Sequence, residues 1–169
     1  WTWGTVIKGR SKHMLKAIRS LVAKGQRDKL VLAMFTYAHS AYFTEKLLQK
    51  GLRAAGLDHT DLLILGYFSK TPPRRVVEGA LKLKEKGLVR FIGLSSHNRK
   101  LVAKLAAEGV IDAFHFRYNA AHRGAETEIF PQMPAAGGPG LIAFVGTANG
   151  RLLKPKNMPP GETPPSAPD

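Results

Sequence analysis

What most constrains this chain is a regular alternation: short apolar runs take turns with amphipathic stretches of helical period, joined by brief connections marked by Gly or Pro. Met14, Leu15, Ile18, Leu21 and Val22 recur at three- and four-residue spacing between Ser11, a residue suited to an N-cap, and Gly25, which ends the helix. Leu30 to Phe35 is then an apolar run of the length of a strand buried on both faces. A second helix is expected over Thr44 to Ala55, closed by Gly56, and a strand over Leu62 to Leu65. After Pro72 and Pro73 a helix carries Val76, Val77, Ala80, Leu81 and Leu83 as far as Gly87. Val89 to Leu94 predicts a strand, Asn98 caps a helix running to Glu108, and Ile111 to Phe116 and Leu141 to Val145 predict two more strands. Such alternation over short connections implies an α/β chain with a parallel sheet covered by helices, either doubly wound or part of a (β/α)8 TIM barrel.

Two segments break the rhythm. Arg117 to Gly140 is too long for a simple connection and is expected to hold a short helix over Ala125 to Phe130; connections of that length often carry function. Pro155, Pro159, Pro160, Pro164, Pro165 and Pro168 crowd residues 154–169, which read as an extended tail behind a barrel-like unit over 1–153.

Composition narrows the function classes. No apolar run approaches the roughly 20 residues that cross a bilayer, and the first ten residues lack the apolar core of a signal peptide, so no membrane partner and a cytoplasmic location are expected. With no cysteine, disulfides, thiolate catalysis and zinc–cysteine centres are excluded. The net charge of +14, from 26 Lys and Arg against 12 Asp and Glu, brings anionic partners into consideration. Its residues are dispersed, as at Lys82, Lys84, Lys86 and Arg90, without interleaved aromatics. They read as solvated helix faces or as a welcome for the phosphates of a dinucleotide; any nucleic-acid binding is expected to be nonspecific.

No Walker loop, HExxH pair or nucleophile elbow is present, and no metal site is expected. The ordered series RDKLVLA, DHTDLLILG, LKLKEKGLVRFIGLSSHN, DAFHFRYNAAHRGAETEIFP and GLIAFVGTANGRLL, covering most of the chain, resembles the third to seventh barrel strands of the aldo-keto reductases. The most specific stretches are Leu81 to Asn98 and Tyr118 to Glu126. The resemblance implies an incomplete barrel of about five parallel strands, running from the helix after the second barrel strand to just past the seventh, where a closed barrel has eight. Its open sheet edges are expected to favour self-association.

The same resemblance implies hydride transfer from NADPH to a small-molecule carbonyl substrate, with a tyrosine as proton donor, a lysine and an aspartate that tune it, and a histidine that hydrogen-bonds the carbonyl. Here the lysine position is Phe35, the histidine position is Gly66 and the tyrosine position falls on Trp3; the aspartate strand would precede Trp1. None of these three residues titrates in the useful range, so carbonyl reduction is expected to be impaired or lost. The alternative is a noncatalytic barrel relative that binds a ligand, an anion or a partner.

The implied cofactor set is Ser95, Ser96 in place of the usual asparagine, His115 in place of glutamine, Phe144 as an aromatic stacked on the nicotinamide, and Thr147 and Gly150 in the pyrophosphate loop. Each has an ordinary structural role as well: Ser95 as a helix cap, Phe144 as core, Gly150 as a turn residue. His115 and Tyr118 are the candidate replacement acids. His97, His115 and His122 at strand ends, with Arg117 and Tyr118, form either a substituted catalytic and anion-binding set or rim residues satisfied by the backbone. Tyr37 and His39 are the nearest titratable stand-ins for the lost lysine.

Overall fold

A computed structural model describes residues 2–4, 12–134 and 136–163 of the chain. All five expected strands form, with a sixth before them: β1 (Thr2–Gly4), β2 (Ala33–Thr36), β3 (Thr60–Leu65), β4 (Val89–Ser95), β5 (Ala113–Arg117) and β6 (Gly140–Phe144). They build one parallel sheet in sequential order β1 to β6. Three residues are too few for a periodicity to register, so β1 had no signal in the sequence; its pairing with β2, Trp3 against Met34, gives it away.

Five helices connect the strands: α1 (Lys12–Ala23), α2 (Ala41–Ala55), α3 (Arg74–Glu85), α4 (Arg99–Glu108) and α5 (Ala125–Glu128). The N-cap expected at Ser11 lies outside the described residues. Helix α2 starts earlier than its apolar spacing implied because the Ser40 hydroxyl accepts from the Phe43 amide, a cap that does not depend on the buried face. Asn98 caps α4 as expected, accepting from the Leu101 amide, and Gly56 and Gly109 close α2 and α4 in the left-handed region. Helix α5 is short because Pro131 follows, and the chain passes into a 3-10 turn over Phe130–Gln132. Beyond β6 the tail keeps local order to Asn157, with 3-10 turns over Arg151–Leu153 and Pro155–Asn157 and a 2.7 Å bond from Asn157 Nδ2 to the Arg151 carbonyl.

Strand side chains alternate between two faces. Leu32, Met34, Leu63, Leu65, Ile92, Leu94, Phe114 and Phe116 meet Ile18, Leu48, Leu52, Val76, Ala80, Leu83, Val102 and Leu105 of the helices in the main core. The opposite face holds a smaller cluster of strand residues alone, Ala33, Leu62, Ile64 and Ala113, with Phe35 and Ile142 against it. Helices therefore cover one face only, as in the wall of a (β/α)8 barrel, and the other face is the inner one. Gly93 keeps this inner layer thin: a Cβ there would sit 3.2 Å from Ile64 Cγ1 and 3.3 Å from Leu62 Cδ1. Helices α2 and α3 also need a glycine to approach, since a Cβ on Gly79 would come within 2.5 Å of Ala41 Cβ.

At the N-terminal end of the sheet, Asp61 ties three segments together. Its carboxylate accepts from Arg27 Nη2 at 3.0 Å, from Arg90 Nη1 at 3.0 Å and from the Leu32 amide at 2.8 Å, with the side chain 5% exposed. Burial pushes this carboxyl up, but the Leu32 amide and the two guanidinium groups outweigh it and hold it below its ordinary 3.8. A depressed carboxylate contributes stability that is present above the unfolded-state value and lost as pH falls through the folded one. Asp61→Ala strands Arg27 and the Leu32 amide without their acceptor and is expected to cost about 3 to 5 kcal/mol at neutral pH. Urea unfolding followed by circular dichroism measures this; a loss below about 1 kcal/mol, the range of an exposed pair, contradicts it. The milder Asp61→Asn is expected to lose less stability than the wild type on acidification below about pH 4.

Candidate functional site at the C-terminal edge of the sheet

The inner-face residues at the C-terminal strand ends form a continuous group of rings. Phe35 of β2 meets His115 of β5 edge-on, with centroids 4.9 Å apart, and Tyr37 stacks on Phe35 at 6.0 Å. His115 in turn stacks on Phe144 of β6 at 4.5 Å, with an interplanar angle of 23°. His97, just beyond β4, stands edge-on to Phe144 at 5.1 Å and to Tyr67, just beyond β3, at 4.8 Å. Strand pairing brings these together: Ser95 lies opposite His115, and Arg117 opposite Phe144. Residues paired across parallel strands share a face, so Ser95, His115, Arg117 and Phe144 all point inward.

His115 is oriented by Ser95, whose Oγ lies 3.1 Å from its Nδ1. The other ring nitrogen, Nε2, has no hydrogen-bond partner among the described residues. Burial first, and the neighbouring His97 second, hold the imidazole down to about 4. His97 is itself lowered, first by burial and then by the charge of Arg117.

The remaining residues picked from sequence lie elsewhere. Ser96 is fully buried on the helix side, donating to the Phe68 carbonyl at 2.7 Å and accepting from the Asn98 amide at 3.0 Å, which fastens the β3 and β4 ends together. Tyr118 belongs to the helix-side layer, where it donates to Glu126 Oε1 at 2.8 Å and meets Phe130 edge-on. That bond to a carboxylate raises its phenol, and Arg123 completes the trio by donating to both Glu126 oxygens. His115 and Tyr118 thus sit on opposite faces. His122 lies 3.1 Å from the Asn119 carboxamide oxygen, and His39 stacks on Phe68, so neither joins the ring cluster.

Two features escaped the sequence reading. Asn119, buried, donates through Nδ2 to the Val145 carbonyl at 2.7 Å and so fixes the loop after β6 against the end of β5. That loop is unusual: Val145, Ala148 and Asn149 have φ of 60°, 51° and 58°, continued by Gly150 at 78°. A positive φ is costly for a β-branched residue, and the Asn119 tether is part of what holds Val145 there. Thr147 contributes a turn inside the loop, its Oγ1 accepting from the Gly150 amide at 3.1 Å. Asn119 lies inside a stretch already conspicuous by its motif, and Thr147 and Gly150 marked the loop; the positive φ of Val145 had no sequence signal.

The positions matched to the lost tetrad are themselves neighbours. The Gly66 amide donates to the Thr36 carbonyl at 2.8 Å, and a Cβ on Gly66 would lie 3.4 Å from Tyr37 Cε1 and 3.5 Å from Phe35 Cδ1. Aromatic carbon thus lies beside the place where a lysine–histidine pair would be. The side chain of Trp3 lies outside the described residues.

The family profile described as "Aldo/keto reductase family" matches residues 7–168. The chain belongs to this family. Among solved structures it is similar to the aldo-keto reductase AKR11C1 of Bacillus halodurans, solved in holo form, with a TM-score of 0.74 and 23% identity over 95% of this chain and 56% of that one. At that identity the likeness bears on fold, and the chain spans little more than half the length of that relative. No curated protein matches it in sequence. The sheet is therefore a run of consecutive strands of an aldo/keto reductase barrel, and the ring cluster occupies the end where barrels of this kind carry their sites. Among the described residues no helix is long and apolar enough to cross a membrane, and no cluster of acidic and imidazole ligands fit for a metal occurs.

Because folded His115 stays neutral while the unfolded imidazole takes a proton below about 6.5, its contribution to stability is full above that pH and is lost as pH falls toward 4. His115→Gln is expected to flatten the stability–pH curve in that window. An NMR titration gives the direct check: the His115 ring stays neutral through pH 5, and a midpoint above 6 contradicts the burial argument.

Proposed function

We propose that this chain is an aldo/keto reductase relative that holds the nicotinamide end of NADPH on its inner sheet face and does not turn over carbonyl substrates. The supporting observation is the pairing of Ser95 with His115. A carboxamide needs one acceptor and one donor partner; the Ser95 hydroxyl and the unpartnered Nε2 of His115 supply them from adjacent strands. Phe144 offers less than the resemblance implied, since one of its faces is already covered by His115. Thr147 and Gly150, in the loop after β6, would meet the diphosphate, whose charge suits a chain of net +14.

NADPH, when bound, supplies a hydride, and the carbonyl oxygen that receives it then needs a proton. Phe35 and Gly66 have none to give. Of the cluster's two imidazoles, His115 is held down to about 4 and His97 is lowered as well, so neither favours carrying the acidic proton at pH 7. Tyr118 is on the other face, engaged with Glu126. The ring cluster keeps two phenols, Tyr37 and Tyr67, but Phe35 and Gly66 leave no lysine or histidine at the matched positions to tune them, which favours binding over catalysis. The cysteine-free composition supports a cytoplasmic setting, and the edges of the sheet at β1 and β6, each paired on one side among the described residues, support self-association.

NADPH fluorescence and absorbance, followed with the 169-residue chain and a panel of aldehydes and quinones, test both halves of this reading. Saturable binding that weakens several-fold in Ser95→Ala is expected, with turnover below about 0.1 per second against a typical enzyme median near 10 per second. Faster turnover overturns the loss of catalysis; absence of binding overturns the cofactor assignment.

A further inference from the structure

The inner-face cluster contains a cation that the nicotinamide reading does not use. Arg117 closes β5, half-buried and pointing to the same face as His115, directly across from Phe144. It makes no hydrogen bond or ion pair among the described residues, whereas Arg27, Arg74, Arg90, Arg99 and Arg123 each have a carboxylate. A guanidinium left without a carboxylate on a half-buried, ring-lined face is in an unfavourable setting that an incoming anion relieves.

Its surroundings narrow the anion. The carboxylates hydrogen-bonded near this end of the sheet, Glu126 and Glu128, are committed to Tyr118, Arg123 and Arg99. Asp61 and Asp112 serve Arg27, Arg90 and Lys84 at the opposite end. Beside Arg117 stand rings instead: Phe144 opposite it, His97 edge-on to Phe144 at 5.1 Å, and Tyr67 edge-on to His97 at 4.8 Å. His97 and Tyr67 are exposed, so the ring wall opens to solvent, and the charge of Arg117 adds to partial burial in disfavouring protonation of His97.

We propose that Arg117, with His97 beside it, is an anion-recognition subsite at the C-terminal mouth of the sheet that takes the carboxylate of a small aromatic acid. The guanidinium offers a planar fork to the carboxylate, His97 offers a ring N–H, and the acid's ring lies against Phe144 and Tyr67. Its charged part, Arg117 and His97, is built from residues other than Ser95 and His115, and only the Phe144 wall is shared with the nicotinamide reading. It deepens the functional reading by naming which carbonyl compounds the inner face holds: those that carry a carboxylate.

Benzoate, with neutral benzamide as its isostere, is titrated by calorimetry into the cofactor-free 169-residue chain. Benzoate is expected to bind at least about tenfold more tightly than benzamide, the scale of a charge-assisted hydrogen bond. Arg117→Gln abolishes that preference while leaving benzamide affinity within about twofold, which shows the ring wall intact; Arg117→Lys retains part of it. His97→Phe keeps the ring contacts and weakens benzoate several-fold. Equal affinity for the two probes, or a preference that survives Arg117→Gln, overturns the proposal. A last arm repeats the benzoate titration with NADPH present. Unchanged or tighter binding keeps the subsite for the acid, and competitive displacement gives its place to the cofactor and overturns the proposal. Failure of NADPH to bind removes the cofactor reading alone, because the cofactor-free titrations stand without it.

Discussion

Everything at this site follows from parallel pairing in sequential order. A parallel strand gives alternate residues to opposite faces, and neighbouring strands in register give their matched residues to the same face. With helices packed on one side alone, that rule sorts each strand into a helix-facing set and an inward set. One residue of slip in β5 would exchange His115 and Arg117 for Phe116 and Tyr118 on the inner face. The Ser95–His115 and Arg117–Phe144 pairings, and with them the whole ring cluster, depend on register first and on side-chain chemistry second. The register is enforced from the far end of the sheet. Asp61 ties the start of β3 to Arg27, Leu32 and Arg90, and Asp112 accepts from Lys84 and from the Ile92 amide. Buried or half-buried carboxylates that accept backbone amides tolerate little sliding, since a shift leaves the amide and the charge unpaired together.

The fold was legible because its signals are local and repeated. Apolar runs, the Asn98 cap and closing glycines such as Gly56 and Gly109 mark strands and helices without knowledge of their partners. Sidedness was less accessible. Ser95 and Ser96 are adjacent in sequence and both stand in the implied cofactor set, yet one reaches inward to His115 and the other binds backbone on the helix side. His115 and Tyr118 are three residues apart and were read as one acid–base neighbourhood, but odd spacing on a strand places them on opposite faces. The alternation rule was available to separate them; the boundary of β5 was not, and the rule needs it. Arg117 presented the reverse difficulty: a charged residue in a basic chain carries no mark of being unpaired, which emerges only when every neighbouring carboxylate has been assigned a partner.

Chemically, the positions matched to the family's lysine and histidine carry Phe35 and Gly66, and the inner face is lined by rings. Aromatic carbon stands beside Gly66, where the family's lysine and histidine positions meet, and burial lowers the pKa of both cluster imidazoles, His115 and His97. On the proposed reading, Ser95 and His115 would hold a planar polar group and Arg117 a negative one. Under the proposed function these features favour binding over turnover, since Phe35 and Gly66 carry no titrating group at the matched positions.

The division of β5 between two faces carries the account, and a nuclear Overhauser measurement on the aromatic and imidazole rings tests it most directly. The account predicts cross-peaks from the His115 ring to Phe35 and Phe144, whose centroids lie 4.9 and 4.5 Å away, and from Tyr118 to Phe130 at 5.2 Å, with none between His115 and Tyr118. Cross-peaks joining Tyr118 to Phe35 or Phe144 would put it on the inner face and contradict both the register and the chemistry derived from it.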